Sequence, residues 1–173
     1  MGKWNIDPSH SEVTFTVRHM VVAKVRGTFT KLTGTVESPD DDPSHGKVDV
    51  TIDTASISTR DDKRDEHLRS ADFFNVQQHP ELRFRSTGME GSGKKLKMKG
   101  TLDMHGVTQP VTLDVEHLGQ MKDPWGNMRQ LFHAETSLNR KDFGLHWNQA
   151  LEAGGFLVGD KIDIEVEAQL VPA

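Results

Sequence analysis

Chemistry in a protein needs the right residue types at the right spacing, and here the types are plentiful. The chain has nine histidines, 26 acidic residues and 21 Lys and Arg, but no cysteine. The spacing is missing. Histidines that grip a metal recur at H-x-H or H-x-x-x-H, or within H-E-x-x-H, and none of the nine falls into such a frame, so no metal site is expected. Asp40-Asp41-Asp42 lacks the alternating oxygen ligands and closing Glu of a calcium loop and reads as a polar turn. Without cysteine there is no thiolate ligand, disulfide or thiol nucleophile. No G-x-S-x-G elbow occurs, and Gly91-Ser92-Gly93-Lys94 does not complete a phosphate loop; a hairpin turn explains it better. The expectation is a protein that is not an enzyme, with no catalytic set and no cofactor beyond whatever ligand it carries.

Two features keep a polar role open. His19 shares the parity of Val13, Phe15 and Val17, which places a titratable ring on an apolar face. An interior histidine bonded to a carbonyl would sit there equally well; the functional reading is a polar contact for a ligand headgroup, or, in an alternative enzyme, an acid or base. The run Arg60-Asp61-Asp62-Lys63-Arg64-Asp65-Glu66-His67 is the most charged stretch and reads first as a solvated helix face. Arg60 and Arg64 are candidate contacts for an anionic headgroup.

The elements that must position these residues follow from a period of two. Val13, Phe15 and Val17 alternate with Thr14, Thr16 and Arg18, and Val48, Val50 and Ile52 with Asp49, Thr51 and Asp53. Leu96, Met98, Leu102 and Met104 share one parity with Gly100; Val111, Leu113 and Val115 repeat the pattern, as do Ile162, Ile164, Val166, Ala168 and Leu170. Such alternation marks strands with one wet and one buried face. The strands are long, which favours a closed barrel over a sandwich, and about eight strands enclose room for one small ligand. Residues 1–173 are expected to form one domain. Short helical insertions are predicted near 61–70, capped by Thr59 or Asp61, and near 147–153, closed by Gly154-Gly155. Phe73, Phe74, Phe143, Trp147 and Phe156 cluster in the insertions, as a lid or as packing.

The net charge of -5 argues against nucleic acid as a partner. No apolar stretch is long enough to span a bilayer, so no stable membrane insertion is expected. The start, Met1-Gly2-Lys3-Trp4-Asn5-Ile6, has no apolar leader and reads as a first strand. As written the chain is expected in the cytoplasm; a secreted protein stripped of its leader would read the same. The sequence leaves the oligomeric state open, a homodimer included.

Linked stretches over nearly the whole chain resemble the YceI-like family of polyisoprenoid-binding, lipocalin-like barrels. They begin with Trp4, Asp7 and the strand Val13 to Met20, and continue through Arg26-Gly27-Thr28-Phe29 and Gly34. The middle is the most specific: Arg64-Asp65-Glu66-His67-Leu68-Arg69-Ser70-Ala71-Asp72-Phe73-Phe74, then His79-Pro80, Phe84-Arg85-Ser86 and the run Gly100 to Leu113. Asn139-Arg140-Lys141-Asp142-Phe143-Gly144-Leu145 completes it. The resemblance implies an extended antiparallel barrel whose tunnel takes a polyprenyl chain or the tail of an isoprenoid quinone, as carrier, store or sequestering protein. A filled barrel serving as a stress-related interaction module is the other non-enzymatic reading. The lining expected from parity and resemblance together is Phe15, Val17, His19, Phe29, Val50, Ile52, Phe84, Leu102 and Leu113, with Phe73, Phe74, Phe143, Leu145 and Trp147 as wall or lid.

Overall fold

The alternating segments become strands in the computed structural model, which describes residues 2–40, 42–152 and 154–173. In chain order these are β1 (Gly2–Ile6), β2 (Glu12–His19), β3 (Ala23–Phe29), β4 (Leu32–Ser38), β5 (Lys47–Asp53), β6 (Ile57–Ser58), β7 (Glu81–Ser92), β8 (Lys95–Met104), β9 (Val107–Lys122), β10 (Met128–Asn139) and β11 (Val158–Pro172). Three couples act as single strands broken by a corner. β11 pairs with β2 through Val158–Glu167 and with β1 through Leu170–Pro172, so β1 and β2 lie end to end across the Asp7–Ser11 corner. Likewise β4 and β3 lie along β5 and β6. Every neighbouring pair is antiparallel and the β1–β11 pairing closes the ring, giving a mainly β, lipocalin-like barrel of eight composite strands.

Parity then sorts the side chains. On β8, Leu96, Met98 and Met104 are buried while Lys95, Lys97 and Lys99 face solvent. Gly100 sits on the inner face, but its missing side chain leaves no open room. The Phe84 ring from the neighbouring strand lies over it, where any Cβ would collide. This aromatic cover explains why a glycine is tolerated inside a strand.

The barrel has two unlike ends. At one, called here the hairpin end, β7 turns into β8 and β9 into β10. At the other, the helix end, the chain leaves the sheet after Ser58 and forms α1 (Asp62–Arg69). Asp61 caps α1 by accepting the Arg64 amide at 3.1 Å, and acidic residues in its first turn suit the helix dipole. Buried Asp65 pins the helix to the barrel by accepting the Thr59 amide at 2.8 Å and its hydroxyl at 2.6 Å. Arg69 donates to the carbonyls of Ala55 and Ile57.

The helical turn expected near 147–153 is not formed in the described residues; Ala153 lies outside them. The segment is an irregular loop instead. Asn148 uses its side-chain amide as a strand would, accepting the Val158 amide at 2.9 Å and donating to the Val158 carbonyl at 2.7 Å. The Leu157 amide donates to Gln149 O, folding the loop back on itself. These contacts are non-local, and they outweigh a weak local helix preference. A 3₁₀ turn, Arg140–Phe143, precedes the loop and ends at Gly144, whose φ of 75° needs a glycine.

Candidate ligand-binding site

The inner parities of the strands enclose a cavity of about 280 Å³. At about 30 Å³ per water, that is room for on the order of ten waters. A packed core leaves no such void. The lining runs from Pro43, Val48 and Met89 at the hairpin end to Phe73, Leu145 and Val158 at the helix end. Along β8 alone it extends from Leu96 to Met104, about 26 Å at roughly 3.3 Å per residue.

Of the lining expected from sequence, Phe15, Val17, Phe29, Val50, Ile52, Phe73, Phe74, Phe84, Leu102, Leu113 and Leu145 stand on this wall. Three do not. His19 ends β2 at the rim, half-buried. Opposite it β11 is bulged, with three residues of β11 (Gly159, Asp160 and Lys161) running against one of β2 (Arg18) between the pairs Val158↔His19 and Ile162↔Val17. The chain then turns, so the inward parity of Val17 no longer carries His19 into the lumen. Phe143 is buried in the hydrophobic core but does not line the cavity. Trp147 sits behind Phe73, with ring centroids 5.2 Å apart, and His67 packs edge-on against both rings.

The two arginines expected near a headgroup are placed elsewhere. Arg64 donates from Nε to Thr59 Oγ1 and from Nη2 to Thr59 O, both at 2.8 Å, and so helps hold α1. Arg60 is exposed and outside the wall.

Arg140 is the residue that sequence reasoning missed. It lines the helix end of the cavity, its side chain 3% exposed. It lies past the end of β10, in the 3₁₀ turn, so no alternation pointed to it. Its guanidinium donates to the carbonyls of Leu145 at 2.7 Å, Trp147 at 2.9 Å, Gly159 at 2.9 Å and Val158 at 3.5 Å. Burial pushes its pKa down from the ordinary arginine value, opposed by Asp160 at 3.8 Å, and the group stays a cation. Thr136 is the other polar lining residue, and its hydroxyl donates to Thr112 O at 2.8 Å. Every polar group on the wall therefore already has a protein partner. A ligand polar group held inside would lose water and gain little, which disfavours it; a saturated or polyene chain loses nothing.

Outside the barrel, Asp40, Asp42 and His45 bring their ligand atoms within 4.8 Å of one another. They act as turn caps: Asp42 accepts the Ser44 amide at 2.9 Å, and His45 Nδ1 bonds Asp40 Oδ2 at 2.6 Å. Asp41 lies outside the described residues.

A barrel closed around an apolar lumen defines the class, and comparison supplies the family. The YceI-like domain model matches residues 4–170. Protein YceI of Escherichia coli O6:H1 is 41% identical over 136 residues, covering 79% of this chain and 71% of that protein. The chain belongs to the YceI-like family. Among solved structures, BcnA of Burkholderia cenocepacia superposes with a TM-score of 0.81 at 22% identity, over 95% of this chain and 98% of that one. A polyisoprenoid binding domain from Saccharophagus degradans gives 0.72 at 15% identity over the full length of both. At such identities the likeness is one of fold.

Proposed function

We propose that this protein binds a single long apolar molecule, of the polyprenyl or isoprenoid-quinone type, along the barrel axis, and acts as a carrier or store for it. The observation that carries the reading is the long cavity whose two polar lining groups, Thr136 and Arg140, are both engaged by backbone carbonyls. Such a wall recognises a chain by length and cross-section, and leaves a headgroup to the rim. The polyisoprenoid-binding neighbour has the same fold, which supports the same ligand class. The absence of any unengaged acid, base or nucleophile on the wall among the described residues favours binding over catalysis.

The test is a chain-length series of polyprenyl alcohols titrated into the purified protein, with native mass spectrometry for stoichiometry. Affinity is expected to rise about fourfold per added buried methylene, from about 0.8 kcal/mol each, and to level off once the chain fills the lumen. Ala134→Phe, which projects a ring into the cavity from β10, is expected to lower affinity by on the order of tenfold while stability holds or rises, as cavity filling does. Affinity indifferent to both chain length and Ala134→Phe would refute the reading.

A further inference from the structure

Exposed apolar side chains gather on the rim of the helix end. Met20, Val21 and Val22 form the β2–β3 turn at 53%, 51% and 80% exposure, and Phe156 is 61% exposed on the β10–β11 loop. The two loops touch. The Met20 amide donates to Leu157 O at 2.7 Å, and Val21 packs so closely on Gly155 that a Cβ there would lie 2.7 Å from its Cγ2. Met20 and Val21 have φ of 54° and 70°, a region that glycine or asparagine enters with little strain and a β-branched residue does not. An apolar tip held in a strained turn and turned to water has its natural surroundings elsewhere.

The charges behind the tip say where. Arg18 and Lys24 face each other across the β2–β3 pair, both exposed and neither ion-paired among the described residues. On the adjoining β11, Asp160 is taken up by Arg140 at 3.8 Å and Lys141 at 3.4 Å. A chain of net charge -5 thus presents a small basic collar just below an apolar tip. That order, apolar residues outermost and cations one layer back, fits the boundary of an anionic bilayer. The opposite end has exposed apolar residues too, Trp125 at 81% and Met121 at 53%, with the exposed Lys122 beside them, but they stand on the β9–β10 hairpin, away from the helix end of the lumen, and serve as the competing surface.

We propose that the rim formed by Met20–Val22 and Phe156 docks reversibly on an anionic lipid bilayer, bringing the helix end of the lumen to the membrane so that an apolar chain passes between them without crossing water. The docking surface builds on the carrier reading, and it is continuous with the site: the loop that holds Phe156 also supplies Leu145 to the lumen wall and runs directly into Val158, the first wall residue of β11.

Co-sedimentation of the full chain with vesicles tests this, using phosphatidylcholine alone or with an equal share of phosphatidylglycerol. The wild type is expected to bind the anionic vesicles, and less so in high salt. Val22→Asp with Phe156→Asp should weaken binding at least tenfold. Arg18→Gln with Lys24→Gln should weaken it on the order of tenfold on anionic vesicles and hardly at all on neutral ones. Trp125→Ser should bind as the wild type. No binding by the wild type, binding unaffected at Val22 and Phe156, or binding lost through Trp125 would each overturn the proposal. None of these residues lines the lumen, so all variants should keep wild-type affinity for a soluble fluorescent polyprenyl probe. A wild type that takes up the probe but ignores vesicles overturns docking alone; one that docks but takes up no probe overturns the carrier reading alone.

Discussion

Both ends of the barrel are tied by an arginine, but to opposite kinds of partner. At the hairpin end Arg129 bridges two carboxylates near the surface, donating from Nη1 to Asp7 at 2.6 Å and from Nε to Asp123 at 3.1 Å. At the helix end Arg140 gathers backbone carbonyls under a loop, with no carboxylate closer than 3.8 Å. The aromatic group of Phe73, Trp147 and His67 lies over that end. The contrast has a physical cause. A carboxylate beside the apolar lumen would be desolvated at a cost its partner need not repay, whereas carbonyl dipoles are present anyway and need donors. The hairpin end is a seam, tied by charge; the helix end is a loop held from beneath by one residue, next to the exposed apolar rim.

Removing that residue should have the largest effect. Arg140→Met leaves the carbonyls of Leu145, Trp147 and Gly159 without their donor, and is expected to cost about 3–5 kcal/mol in urea unfolding, since each buried unmatched acceptor costs about 1–3 kcal/mol. Arg129→Met, nearer the surface at 15% side-chain exposure, should cost less. If the two losses came out in the reverse order, the contrast between a surface seam and a buried clamp would not hold.

The seam should also respond to acid. Arg129 holds the Asp7 carboxyl far below its ordinary value of 3.8. A carboxylate whose pKa is lowered by folding stabilises the fold at pH above its unfolded value and loses that contribution as pH falls through and below it. Wild-type stability is therefore expected to drop relative to Arg129→Met as pH is lowered from about 4, and the two to converge at the acid limit; parallel curves would remove Asp7 from the seam.

The smallest effect is expected at the rim. His19→Phe leaves the wall intact, so affinity for a polyprenyl chain should stay within about twofold, less than the loss of one buried hydrogen bond would give. A tenfold loss in the titration would return His19 to the lumen.

What could be read from the residues follows how locally each feature is encoded. Strand parity was legible because alternation is a property of neighbours in sequence, and it placed Phe15, Val50, Leu102 and Leu113 on the inner face without knowledge of any partner strand. α1 was legible from Asp61 and the acidic first turn, a cap made within three residues. The loop at 147–153 was misread because its conformation depends on Asn148 meeting Val158 across the β10–β11 connection. Arg64 looked like a free cation only because Thr59, its partner, is apart from it by a turn that sequence does not show.

By itself, then, the sequence determined which face of each strand is apolar and that the strands are many and long. The tertiary structure decided three further things: that the strands close into a ring around an open lumen, that Phe84 fills the gap at Gly100, and that Arg140 rather than Arg60 or Arg64 is the cation at the wall. The reason is one of range. Parity and capping are settled within a few residues, but whether inner side chains meet or leave a cavity, and which carbonyls surround a guanidinium, depends on register and bulges between strands far apart in the chain.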